Sequence, residues 1–168
     1  MQIVTIGGVT VGICVLLYYL VLSWPGAKAL RSAPLPHLAR LLPFLLAWCY
    51  GALALLGVGG LVGWTADTAL WISNWLGDVA LIWGVGGQAG THANGSNYLP
   101  LTQAGGGIVL ILTVVMIALL KKSAHARDLK LGMWCGVCLA MSAGVSGFAA
   151  VPLAQAANWL GTHVYGAF

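Results

Sequence analysis

The sequence contains no glutamate, and its only acidic residues are Asp67, Asp78 and Asp128. Charged residues of both signs make up 6% of the chain, whereas a typical soluble domain carries about 25%. So few charges cannot cover a surface in contact with water. The sequence also has too few carboxylates for most hydrolytic mechanisms, which need paired or metal-binding carboxylates. The shortage of charge therefore excludes an ordinary soluble domain and predicts a protein that is not an enzyme.

The spacing of the histidines and cysteines in the sequence also predicts no metal site and no disulfide framework. The histidines lack the spacing of metal ligands, and the cysteines lie in apolar stretches rather than in a small secreted domain. These residues are His37, His92, His125, His163, Cys14, Cys49, Cys135 and Cys138. We expect neither a metal nor a cofactor. The net charge of +4 does not indicate a nucleic-acid partner, because membrane orientation explains the basic residues better.

Hydrophobic residues are abundant instead: they make up 60% of the chain, and the mean hydropathy is +0.94. A helix of about 20 mostly apolar residues crosses the ~30 Å core of a bilayer. We expect Pro43 in the first turn of the second such segment, where proline is tolerated, and the end of the fourth at about Pro152. The sequence predicts one all-α integral membrane domain, 1–168, whose four transmembrane helices lie at about 3–22, 41–62, 106–120 and 131–153.

All the lysines and arginines fall in two of the connections between these segments. Three lie between the first and second helices and four between the third and fourth: Lys28, Arg31, Arg40, Lys121, Lys122, Arg127 and Lys130. Loops that carry lysine and arginine stay in the cytoplasm. The pattern therefore predicts a multi-pass protein of the cytoplasmic membrane, with both basic loops inside and both termini outside.

The segment at about 64–83 is apolar but carries Asp67, Asn74 and Asp78. At about 100° per residue these three fall on a narrow stripe of one helical face. If the segment crossed the membrane, the second basic loop would lie outside, against the charge bias. We therefore expect an interfacial or re-entrant helix. Its four tryptophans suit interfacial anchoring, and the alternative hypothesis is that the polar stripe lines a cavity.

Small residues recur every four positions in the fourth segment and also pair at the end of the second. These candidate interface residues are Gly132, Gly136, Ala140, Gly144, Gly59 and Gly63. Such spacing lets two helices approach closely in a membrane. It is compatible with packing inside a four-helix bundle and with self-association. The expected partners are the lipid bilayer and either other copies or other membrane proteins.

The run Trp134-Cys135-Gly136-Val137-Cys138 resembles the redox motif of thioredoxin-like proteins. The cysteine spacing lets two sulfurs meet. However, Val137 stands where that family has proline, no βαβ pattern surrounds the motif, and its position is near the reducing cytoplasmic side. We therefore interpret Cys135 and Cys138 as buried packing residues, with a redox pair as the alternative.

The C-terminal third resembles small Gly/Ala/Trp-rich membrane proteins of actinobacterial conjugative elements and phages. The similarity runs from Gly105 through Leu120-Lys121-Lys122 to 133–158, and it includes Ser142-Ala143-Gly144-Val145 and Val151-Pro152-Leu153-Ala154-Gln155. It implies a role in plasmid transfer or phage biology. Three functions thus remain: a non-enzymatic membrane component of a larger, oligomeric assembly, a holin-like or channel-like pore, and a membrane thiol oxidoreductase.

Overall fold

The computed structural model describes residues 6–24, 34–56, 60–87, 101–140 and 145–166. Within these ranges the chain is helical and contains no strand, which confirms the prediction of an all-α fold. The helices are α1 (Ile6–Ser23), α2 (Pro34–Leu56), α3 (Gly60–Ala80), α4 (Gln103–Lys122), α5 (Ala126–Ala140) and α6 (Val145–Tyr165). One π-helical turn, Leu81–Val85, extends α3.

Two of the described helices are long and apolar enough to cross a membrane. They are α2, through its stretch Ala39–Leu56 with a mean hydropathy of 1.7, and α4, with 2.3 over Gln103–Lys122. The apolar stretch of α1, Gly7–Ser23, is slightly shorter. Length and composition thus point weakly to the membrane.

Both prolines that were expected at helix ends lie inside helices, so these two predictions are wrong. The helix around Pro43 begins at Pro34, because Pro34 can occupy the first turn, where a missing N–H costs nothing. Pro152 lies inside α6. An internal proline removes one backbone hydrogen bond, and the neighbouring helices of a membrane protein can compensate for that loss.

Within the predicted fourth segment, 131–153, the structure describes two stretches of helix. Its first part is α5, which ends at Ala140, and its last part belongs to α6, which begins at Val145. Residues 141–144 lie outside the described ranges. In the predicted second segment, 41–62, the described part of α2 ends at Leu56 and α3 begins at Gly60, and residues 57–59 lie outside the described ranges.

The centre of the molecule consists of α1, α2 and α5. α2 and α5 run in the same direction, since Gly132 contacts Phe44 and Gly136 contacts Trp48, one turn further along each helix. α1 runs opposite to both. Its Tyr19 ring stacks on Phe44, with 4.0 Å between centroids, while its Gly12 contacts the far end of α5.

The other three helices pack around this centre. α3 lies across it: Val62 packs in the cluster of Leu53, whereas Gly77 reaches Gly7 in the first turns of α1. α4 is joined to α2 by the Tyr50 hydroxyl, which donates to the Thr113 hydroxyl over 2.9 Å. α6 packs on the last turn of α2 and the first turns of α4.

Candidate functional site

A buried polar cluster lies where α3 meets the beginning of α1. The exposed fractions of Ser73, Asn74 and Asp78 are 0%, 3% and 8%. The Ser73 hydroxyl donates to the carbonyl of Ala69 over 2.7 Å. Among the described residues, the buried side-chain oxygen of Asn74 accepts no hydrogen bond. A buried polar group of this kind is costly in an apolar environment, so the cluster is a candidate for function.

Glycines on both helices make this close contact possible. A Cβ atom on Gly8 would overlap the Asn74 side-chain oxygen, and one on Gly77 would overlap the carbonyl of Gly7. A Cβ on Gly7 would meet a carboxylate oxygen of Asp78 at 2.7 Å. The polar side chains therefore pack directly against the backbone of α1, in a helix interface.

Asp67 is separated from the other two members of the predicted stripe. It is exposed, although Asn74 and Asp78 are buried. At about 100° per residue, all three lie at one edge of the buried face of α3. The beginning of α1 contacts α3 between Leu70 and Asp78, so the same helical face is buried at Asn74 and Asp78 and open at Asp67.

The segment that contains this stripe is one continuous helix through residues 60–85, not a hairpin. Its four tryptophans are all exposed, as the interfacial interpretation expects: Trp64 by 66%, Trp71 by 65%, Trp75 by 57% and Trp83 by 86%. Indole rings concentrate at the level of lipid headgroups. The helix thus has a polar cluster on its inner face and aromatic side chains on its outer face.

The small residues of α5 contact α2 of the same chain. A Cβ on Gly132 would overlap the carbonyl of Phe44, and one on Gly136 would overlap that of Trp48. Ala140 belongs to a buried cluster with residues of α2 and α3. The described part of this face therefore packs inside the molecule and is not free to contact a second copy.

The remaining small residues from the sequence divide into described and undescribed positions. Gly63 is buried in the first turn of α3. Gly59 and Gly144 lie outside the described residues. The pairing of Gly59 with Gly63 is therefore not tested.

Cys135 and Cys138 are both fully buried, with 0% exposure, and neither forms a disulfide. The Cys135 thiol lies 3.5 Å from the carbonyl of Gly12 and donates to it. Cys138 lies against the same glycine. α1 covers the Cys135 sulfur, and the Cys138 side chain lies between α1 and Ser73 of α3. This is the environment of packing cysteines rather than of an accessible redox pair.

A groove that the sequence did not reveal lies between α2, α3 and α5. Its volume is about 420 Å³, within the range of small-ligand sites. Small residues such as Gly51, Ala54 and Ala66 form much of its wall, and Lys130 and Trp134 lie at its edge. Side chains of all three helices line it, so only their packing defines it.

The basic side chains gather at one end of the bundle. Arg127 donates to the Tyr18 hydroxyl over 2.5 Å, near the last turn of α1. Its guanidinium carbon lies 5.9 Å from the Tyr18 ring centroid. The last turn of α4, with Lys121 and Lys122, and the first turns of α5 meet at this end. The α1–α3 polar cluster lies toward the opposite end.

Among the described residues, no three histidine, cysteine or acidic side chains are grouped closely enough to hold a metal ion. Comparisons with known proteins add no identity: no family model, curated protein or solved structure matches this chain. The part of the chain that the structure describes is all-helical, and two of its helices are apolar enough to cross a membrane.

Proposed function

We propose that this chain is a non-enzymatic, multi-pass protein of the cytoplasmic membrane that acts as one component of a larger assembly. In this arrangement α1, α2 and α4 cross the bilayer, the segment 131–153 of α5 and α6 forms the fourth crossing, and the basic end faces the cytoplasm. The first turns of α1 lie at the outer end, and α6 packs around the outer ends of α2 and α4. Both termini then lie outside.

The observation that carries this proposal is the separation of charge from apolar surface. All the lysines and arginines of the described helices lie at one end, namely Arg40, Lys121, Lys122, Arg127 and Lys130. The sides expose large apolar residues, which on α4 include Leu110, Ile111, Val114 and Ile117. A bilayer with an anionic cytoplasmic surface matches both features.

We assign the contact with the other members of the assembly to the face of α4 that points away from the rest of the chain. The buried residues of this helix are Gly105, Val109 and Met116, and the rest of the helix is open or partly open. Val114 is exposed by 61% at the middle of that face. Because the small-residue face of α5 is occupied by α2, α4 offers the longest apolar surface for another membrane helix.

Site-specific photocrosslinking in membranes tests this assignment. A photoreactive amino acid at Val114 is expected to give an adduct with a second protein or a second copy. The same amino acid at Val109, which is 4% exposed and packs inside the chain, is the control and should give none. Adducts with lipid alone from Val114 would contradict the assembly.

A pore is the second candidate, and the buried cluster of Ser73, Asn74 and Asp78 favours it, since a conducting path needs polar groups. Membrane potential measured during induction in bacteria distinguishes the two functions. Under the pore hypothesis, expression depolarises the cells and Asp78→Ala changes the effect, whereas Asp67→Ala, on the exposed part of the same stripe, does not. Under the assembly hypothesis, the potential stays intact at high expression.

The implied role in conjugative transfer or phage biology depends on the sequence resemblance alone.

A further inference from the structure

The groove between α2, α3 and α5 combines apolar walls with one charged group. Its polar lining residues are Tyr50, Thr65 and Lys130. The Tyr50 hydroxyl donates to Thr113, and the Thr65 hydroxyl donates to the carbonyl of Val62 over 2.9 Å. These two hydroxyls are therefore satisfied within the protein. The ammonium group of Lys130 makes no hydrogen bond or ion pair with any residue that the structure describes.

The charge around Lys130 is positive. Lys121, Lys122 and Arg127 lie at the same end of the bundle. The nearest acid along the chain, Asp128, lies two positions away on the opposite side of α5 and 3.4 Å from the ring of His125. Residues two apart on a helix do not face each other. This cation, which has no partner in the described part of the chain, thus lies in a field that favours an anion.

The shape of the groove fits a chain rather than a compact ligand. Lys130 and Val137 both line it, and seven residues of helix span about 10 Å. The exposed side chains of Thr65 and Trp134 border it, so it is open at the protein surface. An empty apolar groove forfeits van der Waals contacts, and in a bilayer the neighbouring molecules are acyl chains.

We propose that this groove binds one acyl chain of an anionic phospholipid, whose phosphate group contacts Lys130. The inference depends on the proposed membrane location, with the basic end in the cytoplasmic leaflet. The stem of Lys130 lies along the apolar wall and its ammonium group reaches the headgroup level, as lysines near helix ends do. Trp134, about one turn further along α5, borders the acyl chain.

The experiment uses the full chain in phosphatidylcholine vesicles that contain a small fraction of a photoreactive lipid. The reactive group is on the acyl chain, and the headgroup is either phosphatidylglycerol or phosphatidylcholine. Adducts are mapped by mass spectrometry after photolysis. We expect adducts at Met133 and Trp134 to be about fivefold more abundant with phosphatidylglycerol, which is the contribution of one lysine near an anionic surface.

Two variants make the result specific. Lys130→Gln should remove the preference for phosphatidylglycerol, whereas Lys121→Gln, a change at an exposed lysine that does not line the groove, should keep it. Ala69→Leu, on the groove wall, should reduce adducts from both lipids. Equal labelling by the two lipids, or groove labelling no stronger than that of Leu110 on α4, would overturn the lipid site. Failure of the protein to float with the vesicles would instead overturn the membrane location itself.

Discussion

At the residue scale, the closest contacts in this molecule are made by positions that lack a side chain. Gly132 and Gly136 bring the backbone of α5 against that of α2, and Gly77 does the same between α3 and α1. Glycine is costly in a helix interior. The close packing that it permits is the main source of helix association where hydrophobic drive is absent.

Gly136→Ala is expected to destabilise the protein by about 1–3 kcal/mol, because the added methyl group overlaps the carbonyl of Trp48 and forces two helices apart. Gly106→Ala is the matched control, since a Cβ there would meet nothing within 4 Å. It should be neutral or stabilising by up to about 1 kcal/mol. Unfolding of both variants in detergent, followed by circular dichroism, measures the difference. Equal stability would mean that α2 and α5 are not in backbone contact.

Asn158→Ala is expected to loosen α6 from the beginning of α4. The side-chain oxygen of Asn158 accepts hydrogen bonds from the backbone N–H and the hydroxyl of Thr102, both over 3.0 Å. The Thr102 hydroxyl in turn caps α4 by accepting from the N–H of Gly105. Loss of these contacts should cost about 1–2 kcal/mol.

Gln155→Ala, at an exposed position of the same helix, is the control for Asn158→Ala and should leave stability unchanged. Hydrogen exchange at the first turn of α4 gives a second readout. Exchange there should accelerate in Asn158→Ala alone. Similar exchange in the two variants would show that Asn158 does not hold this helix end.

At the scale of the elements, the helices differ in how firmly they are attached. α2 and α5 share a long contact, whereas α4 is held along its middle by a few side chains. Val109 and Met116 are its buried large apolar residues. The Tyr50–Thr113 hydrogen bond is the polar link from α4 to α2, and such links in membranes contribute about 0.6 kcal/mol on average.

A double-mutant cycle on Tyr50→Phe and Thr113→Val should therefore give a coupling free energy of about 0.6 kcal/mol. The physical reason is that either change alone removes the same hydrogen bond. Stability in detergent, measured for the two single variants and the double variant, supplies the value. Thr113→Ser keeps the hydroxyl and should preserve the coupling. Additive effects of Tyr50→Phe and Thr113→Val would contradict the contact.

The prolines show where sequence reasoning about elements failed. Pro43 and Pro152 were expected to mark helix ends, because a proline lacks the N–H that continues a helix. Both are internal, and the helices continue past them. The low helix propensity of proline reflects the hydrogen bond that it cannot make. Whether a helix tolerates that loss depends on the neighbouring helices that pack against it.

At the scale of the whole molecule, the positive charge is concentrated at one end. The turn between α4 and α5 lies there, and the start of α4 lies at the other end. A protein with this asymmetry enters a bilayer in one orientation. The two ends of α4 should then be on opposite sides of the membrane.

Cysteine labelling in intact cells tests this orientation. In a variant whose Cys14 and Cys49 are replaced by alanine, Gln103→Cys should react with a membrane-impermeant maleimide added outside. Ala124→Cys should react only after the cells are opened. The buried Cys135 and Cys138 remain as an internal background. Labelling of both new cysteines from outside would show that α4 does not cross the membrane.

The sequence by itself determined what depends on composition and order along the chain. The helical fold follows from long apolar runs, and the exposed tryptophans of α3 follow from their amphipathic rings. The stripe of Asn74 and Asp78 was visible as a periodicity, because a helix repeats with a known angle.

Only the tertiary structure decided which parts of these patterns are covered. It buries Asp78 and leaves Asp67 exposed, since α1 reaches only the far end of the stripe. It occupies the Gly132 and Gly136 face with α2 and packs Cys135 and Cys138 against α1. It also creates the groove at Lys130, because α5 meets the consecutive helices α2 and α3 there. Periodicity identifies a face, but the partner that covers it depends on the path of the whole chain.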